Sequence, residues 1–236
     1  MTRSVDDPIA DALLDPARPT TLIVVAGTGT EIGKTWVAAH LIERLVGSGA
    51  TVTARKPAQS FEPEDATTDA DVLAAAGNDD ANLVCPPHRW YPVAMAPPMA
   101  ADRLDRQAVL LSDLVAETNA SWHDSTMTAG VARFGLVELA GGPWSPAAHD
   151  GDGIDLTRRL APDLVVLVAD AGLGTINAVR PAVHALGAIA PVLVILNRFD
   201  DQSDLHRRNR AWLAEQYDLD LVTSVEQLTD RLLRLS

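Results

Sequence analysis

Chemistry in this chain starts at Gly33-Lys34-Thr35. The triplet closes the run Gly27-Thr28-Gly29-Thr30-Glu31-Ile32-Gly33, which follows the apolar stretch Thr21–Ala26 and precedes a helical pattern from Trp36 to Val46. A glycine-rich turn between a strand and a helix aims backbone N–H groups at phosphate oxygens, and the helix N-terminus adds positive potential. In such a turn Lys34 reaches the β- and γ-phosphates and the Thr35 hydroxyl ligates Mg2+. The strict spacing G-x-x-x-x-G-K-[ST] is not met. Thr28 stands five residues before Gly33, and the usable glycine, Gly27, lies one further back, so the loop is longer by one residue.

Other residues fit the same chemistry. Lys56 ends the second strand pattern, Thr51–Lys56, where its charge would lie near a γ-phosphate as charge develops in phosphoryl transfer; Ser60, four residues on, could donate to the same anion. Glu138 interrupts the apolar run Gly135–Leu139 and is followed by Gly141-Gly142. An acid at a strand end is the arrangement that holds Mg2+ directly or through water, and an unpaired carboxylate there would be costly to bury. Asp69 and Asp71, on an acidic stretch, are each open as a further metal ligand or as a solvated acid. Asn197-Arg198-Phe199-Asp200 closes the apolar run Val192–Leu196, a position from which Asn197 could hydrogen-bond a nucleobase. Trp144, in Gly141-Gly142-Pro143-Trp144, is a candidate for lining the site, whereas Trp36 and Trp212 fall on helical core positions. The six histidines show no ligand spacing. Cys85 reads as a small hydrophobe beside Pro86-Pro87.

These residues need a scaffold that brings strand ends together. Strand patterns at Thr21–Ala26, Thr51–Lys56, Gly135–Leu139, Leu164–Ala169, Val192–Leu196 and Leu219–Thr223 alternate with helical patterns at Trp36–Val46, Ile176–Leu186, Leu205–Gln216 and Glu226–Leu235. Residues 70–125 read as mostly helical, and Gln59–Asp69 as a long polar loop. Near-continuous apolar strands belong to parallel sheets covered on both faces. The expected fold is therefore α/β: one domain, residues 19–236, with a doubly wound, mainly parallel sheet, preceded by an extension, residues 1–18, carrying a short helix at Ile9–Leu14. Ligands of such sheets sit beyond the carboxyl ends of the strands, where all the candidates above fall.

With 236 residues, 47% of them hydrophobic, the chain can bury a large core. Its net charge of −13 excludes an electrostatic footprint for nucleic acid or an anionic membrane, so an anionic substrate must be held by a local cluster of donors. A single cysteine rules out an internal disulfide and suits a reducing compartment. Met1–Pro19 is broken by four aspartates and three prolines, unlike a secretory segment, and no apolar run is long enough to span a bilayer. The expected location is the cytoplasm.

Taken together the segments resemble dethiobiotin synthetases over most of the chain. The family's G-T-x-T-E-x-G-K-T, which contains the longer loop, is matched by Gly27 to Thr35; its K-P-x-x-S by Lys56-Pro57-Ala58-Gln59-Ser60; its S-D-A by Thr68-Asp69-Ala70, which selects Asp69; its V-E-G-A-G-G by Val137 to Gly142; and its L-G-x-I-N by Leu173-Gly174-Thr175-Ile176-Asn177. The resemblance implies a P-loop fold related to nucleoside triphosphatases, an ATP- and Mg2+-dependent ligase and a homodimer. The small-molecule substrates would be 7,8-diaminononanoate and CO2. ATP would lie along Gly29, Thr30, Glu31, Ile32, Gly33, Lys34 and Thr35, with its base at Asn197 and Arg198. Thr35, Asp69 and Glu138 would hold Mg2+, and Lys34 and Lys56 would be the catalytic cations. Ser60 and the Gly141-Gly142-Pro143-Trp144 segment would position the amine end of the substrate. Gly174, Thr175 and Asn177 of a second subunit would bind its far carboxylate.

The chain departs from the family at Gly29, where Asp is common, at Leu139, where Gly is common, and at Arg198, where Asp is frequent. The last change leaves nucleotide-base preference open. Two other classes share parts of the pattern: a cobyrinic-acid-type ligase, which needs a nucleophilic cysteine, and a partition-type nucleotide switch, which usually carries a second loop lysine where Gly29 stands.

Overall fold

The apolar runs pack against one another because each has no polar face to turn outward. The computed structural model describes residues 15–124 and 132–234; the helix expected at Ile9–Leu14 lies outside them. The central sheet has strands β1 (Thr21–Gly27), β2 (Thr51–Arg55), β3 (Arg133–Glu138), β4 (Leu164–Asp170), β5 (Val192–Asn197) and β6 (Leu221–Val222). Their order is β6-β5-β4-β1-β3-β2, and every pair is parallel. The doubly wound parallel sheet expected from the sequence is therefore the observed fold.

Within β1 the two-residue period divides the core. Leu22, Val24 and Ala26 join one buried cluster, Ile23 and Val25 the other. Helices α1 (Lys34–Gly47), α2 (Asp69–Gly77) and α8 (Val225–Leu233) cover the second face. Helices α3 (Pro97–Arg103), α4 (Leu111–Ala120), α5 (Gly153–Leu160), α6 (Thr175–Gly187) and α7 (Asp204–Tyr217) contribute to the first. No helix among the described residues is long and apolar enough to cross a membrane.

Register aligns the carboxyl ends. Val25 pairs with Glu138, Gly27 with Val168, and Asp170 with Asn197, so the ends of β1, β3, β4 and β5 form one continuous edge. The segment expected to be a loop is partly ordered: Gln59–Ser60 pairs in parallel with Trp90–Tyr91. Its far end is fixed by Thr68, which caps α2 and forms a capping box with Asp71. Between residues 143 and 163, where the sequence suggested no element, a short antiparallel pair, Pro146–Ala148 with Gly151–Asp152, leads into α5. This eight-residue helix carries an apolar stripe, Ile154, Leu156 and Leu160, and an Asp152–Asp155 capping box, but it is shorter than the stretch over which helical periodicity can be read.

Two core assignments are corrected. Trp36 and Trp212 are each 51% exposed. On α1 the inward stripe is Val37, Ala38, Leu41, Ile42 and Leu45, and Trp36 falls to its side. On α7 Leu213 and Asn209 point inward, and the neighbouring Trp212 cannot. Cys85 is fully buried, and burial pushes its thiol up to about 12, as befits a small hydrophobe.

Candidate active site

The loop between β1 and α1 is shaped by what its glycines allow. Gly33 has φ +90°, and a Cβ there would meet Asn197 Nδ2 at 2.3 Å. Only glycine accepts both conditions. Lys34 is the first residue of α1 and is 7% exposed. A lysine is ordinarily a surface residue, but here the loop folds over its stem. Its Nζ donates to the Gly29 carbonyl at 3.0 Å. Burial lowers its pKa, an effect opposed by Glu138 and reinforced by Lys56.

The next residue begins a tight cluster. Thr35 Oγ1 lies 2.9 Å from Asp69 Oδ1 and 2.9 Å from Glu138 Oε1, and its single proton can serve one of them at a time. Lys56 Nζ is 2.6 Å from Asp69 Oδ2 and 2.6 Å from Glu138 Oε1. Burial works against the Lys56 charge, but the Glu138 and Asp69 carboxylates outweigh it and hold its pKa above the ordinary lysine range. Asp69 shows the reverse: burial would raise it, and Lys56 leads the contacts that hold it below the usual carboxylate range. Lys34 and Lys56 are the only lysines in the sequence, and both stand here. Two lysines balance two carboxylates.

Different elements bring these groups together. Lys56 follows β2, Glu138 ends β3, Asp69 opens α2 and Thr35 lies in the first turn of α1. Gln59, unnoticed in the sequence, holds one of them in place. It is 1% exposed; its Nε2 donates to Thr68 Oγ1 at 3.2 Å and its Oε1 accepts from Ala70 N at 2.9 Å, which straddles Asp69. Nothing in its type signals that role.

The donor set fits a hard divalent cation. Mg2+ takes oxygen ligands, uses one or two carboxylates and keeps places for water and phosphate. Thr35 Oγ1, Asp69 and Glu138 supply a hydroxyl and two carboxylates at one point, and Glu138 Oε2 is buried with no hydrogen-bond partner among the described residues.

Around this cluster lie the remaining candidates. The Gly141-Gly142 turn crosses the loop: a Cβ on Gly142 would stand 3.6 Å from Gly29 Cα. Pro143 is buried, and Trp144 is 51% exposed. The Ser60 hydroxyl oxygen is buried and has no partner among the described residues. On the other side of the loop, Asn197 Nδ2 donates to Ile32 O at 2.8 Å and Arg198 Nη2 to Glu31 O at 3.0 Å. Asp170, a strand-end acid that no motif marks, lies 3.6 Å from Arg198 Nη1. Beyond β4, Gly174 has φ +93° and precedes α6. Gly174 and Asn177 are exposed, and the Thr175 hydroxyl is buried without a partner among the described residues. Buried Asn209 of α7 supports this turn by donating to Ala171 O and Gly172 O at 2.9 and 2.8 Å.

Comparison with known proteins accords with this geometry. The family model "AAA domain" matches residues 21–231. The ATP-dependent dethiobiotin synthetase of Caulobacter sp. strain K31 is 36% identical over 80% of this chain and 81% of its own length. The chain belongs to the dethiobiotin synthetase family. A second member, from Haloferax mediterranei, is 35% identical over 81% of this chain and 78% of its own. Among solved structures, the MinC:MinD cell division complex of Aquifex aeolicus shares the fold, with a TM-score of 0.51 at 11% identity over 86% of this chain and 79% of that one. Membership in the family matches the resemblance read from the sequence motifs.

Proposed function

We propose that the chain is a dethiobiotin synthetase that uses ATP to carboxylate 7,8-diaminononanoate and close the ureido ring. The observation that carries this reading is the clamp of Lys56 between Asp69 and Glu138, with Thr35 of the phosphate loop on the same two carboxylates.

One substrate amine adds to CO2 and loses a proton, giving a carbamate. A carbamate oxygen attacks the γ-phosphorus of ATP, ADP leaves, and a carbamic-phosphoric anhydride forms. The second amine attacks the anhydride carbonyl, loses a proton and expels phosphate as the ring closes. The central difficulty is the approach of two anions. Lys34 and Lys56 neutralise the carbamate and the γ-phosphoryl group, and the raised pKa of Lys56 favours its cationic form. Mg2+ held by Thr35, Asp69 and Glu138 would supply further charge neutralisation on the phosphates. Ser60 Oγ and the Gly141–Gly142 backbone face the amine end. The Gly174–Asn177 helix start of a second subunit takes the far carboxylate, in a homodimer with composite sites.

Cys85 argues against an amidotransferase of the cobyrinic-acid type, since a buried thiol with its pKa pushed up to about 12 is a poor nucleophile. The test is phosphate release from ATP with and without 7,8-diaminononanoate and bicarbonate. Release that depends on both is expected. Hydrolysis indifferent to the diamine would instead make the protein a nucleotide switch.

A further inference from the structure

A cavity of about 670 Å3 opens beside the phosphate loop, lined among others by Gly33, Trp36, Asn197, Phe199 and Thr223. That is within the size range of about 300–1,000 Å3 usual for small-molecule sites. Gly33 ends the phosphate loop and Trp36 lies in the first turn of α1, so a ligand whose phosphates meet the helix N-terminus would extend into this cavity. Trp36 is 51% exposed although α1 has a full inward stripe without it. Its indole is braced from one side: the His40 ring lies 4.1 Å away, tilted by 31°, and His40 Nδ1 is 2.8 Å from Trp36 O. The result is a supported aromatic plane at a cavity wall.

Two polar side chains at the cavity wall are tied to the loop. One amide N–H of Asn197 goes to Ile32 O, and Arg198 donates to Glu31 O and lies 3.6 Å from Asp170. An aromatic plane holds any base, because every base has a π-face.

Resting on the ATP-dependent reading above, we propose that Trp36 is the platform on which the nucleobase stacks, and that it supplies nucleotide affinity without choosing among bases. The test is calorimetric titration of ATP, GTP, CTP, UTP and inorganic tripolyphosphate into the full-length protein and its Trp36→Ala and Trp36→Phe variants. Trp36→Ala raises the Kd of all four nucleotides by about fivefold or more and to a similar extent, consistent with the loss of one stacked base. Trp36→Phe stays within about threefold of the unmodified protein. Tripolyphosphate, which has no base, binds all three proteins alike. Unchanged nucleotide affinity in Trp36→Ala overturns the proposal, as does a loss confined to one base. An equal loss for tripolyphosphate also overturns it, since the damage would then lie in the phosphate loop. These binding readouts are separate from turnover: absence of diamine-dependent phosphate release would sink the assigned reaction and leave the stacking comparison intact.

Discussion

Lys56 Nζ lies 2.6 Å from Glu138 Oε1, and the two side chains are only 3% and 2% exposed. Breaking a buried pair by removing one partner costs about 3–5 kcal/mol, whereas replacing both with apolar groups is often near neutral. The two single changes differ here, because Lys56 keeps Asp69 when Glu138 is lost. Lys56→Met should therefore destabilise more than Glu138→Leu, and the double variant should recover much of the loss. Urea denaturation of the three proteins checks this. Strictly additive effects would show that the pair is not a structural unit. Turnover should be lost in all three.

The same clamp sets the pH dependence of stability. The Lys56 pKa is raised by folding, so its contribution is complete below the ordinary value of 10.5 and is lost as pH climbs through the higher folded value. Asp69 is lowered by folding, so its contribution is present above the ordinary 3.8 and is lost as pH falls through the folded value. Asp69→Asn should flatten the acid limb of the denaturation midpoint plotted against pH and, because Asp69 also helps raise Lys56, weaken the alkaline limb as well. An unchanged acid limb would count against the role given to Asp69.

Gly33 and Asn197 should be energetically coupled. Gly33→Ala places a Cβ 2.3 Å from Asn197 Nδ2 and forces φ +90° on an L-residue, a conformation that costs roughly 1–2 kcal/mol. Nucleotide binding should be lost and thermal stability lowered. Adding Asn197→Ala removes the clash but not the dihedral strain, so stability should return in part. The coupling expected for contacting residues is about 0.5–3 kcal/mol. A double variant no more stable than Gly33→Ala alone would mean that the clash is relieved by other movement.

Composite sites can be tested by mixing subunits. Lys34→Met removes a charge that burial already disfavours, so the fold should survive while turnover falls by about a hundredfold or more. Asn177→Ala lies on the exposed helix start and should raise KM for the diamine. Mixed dimers of the two variants would contain one site with both lesions and one with neither. Activity recovered on mixing, up to about half a normal dimer, is the expected outcome for a two-fold interface. No recovery despite proven subunit exchange would place the carboxylate site within one chain.

The sequence by itself determined the sheet and the phosphate loop. Apolar runs such as Leu164–Ala169 have one low-energy environment, a sheet covered on both faces, and a glycine-rich turn before a helix has few uses besides anion binding. It also supplied the candidates for the site, since Lys34, Thr35, Lys56 and Glu138 all carry recognisable types at strand or helix ends. The tertiary structure alone decided how those residues meet. That Lys56 is shared by Asp69 and Glu138 depends on the register of β2 with β3 and on Gln59 anchoring α2, contacts between segments far apart in the chain. Burial was likewise undecided. Lys34 lies inside and Trp36 outside, the opposite of what residue type suggests, because the loop covers the first turn of α1 while Val37 and Ala38 take the inward stripe. A local pattern fixes the period of a helix; which angle of it faces the core is set by what packs there.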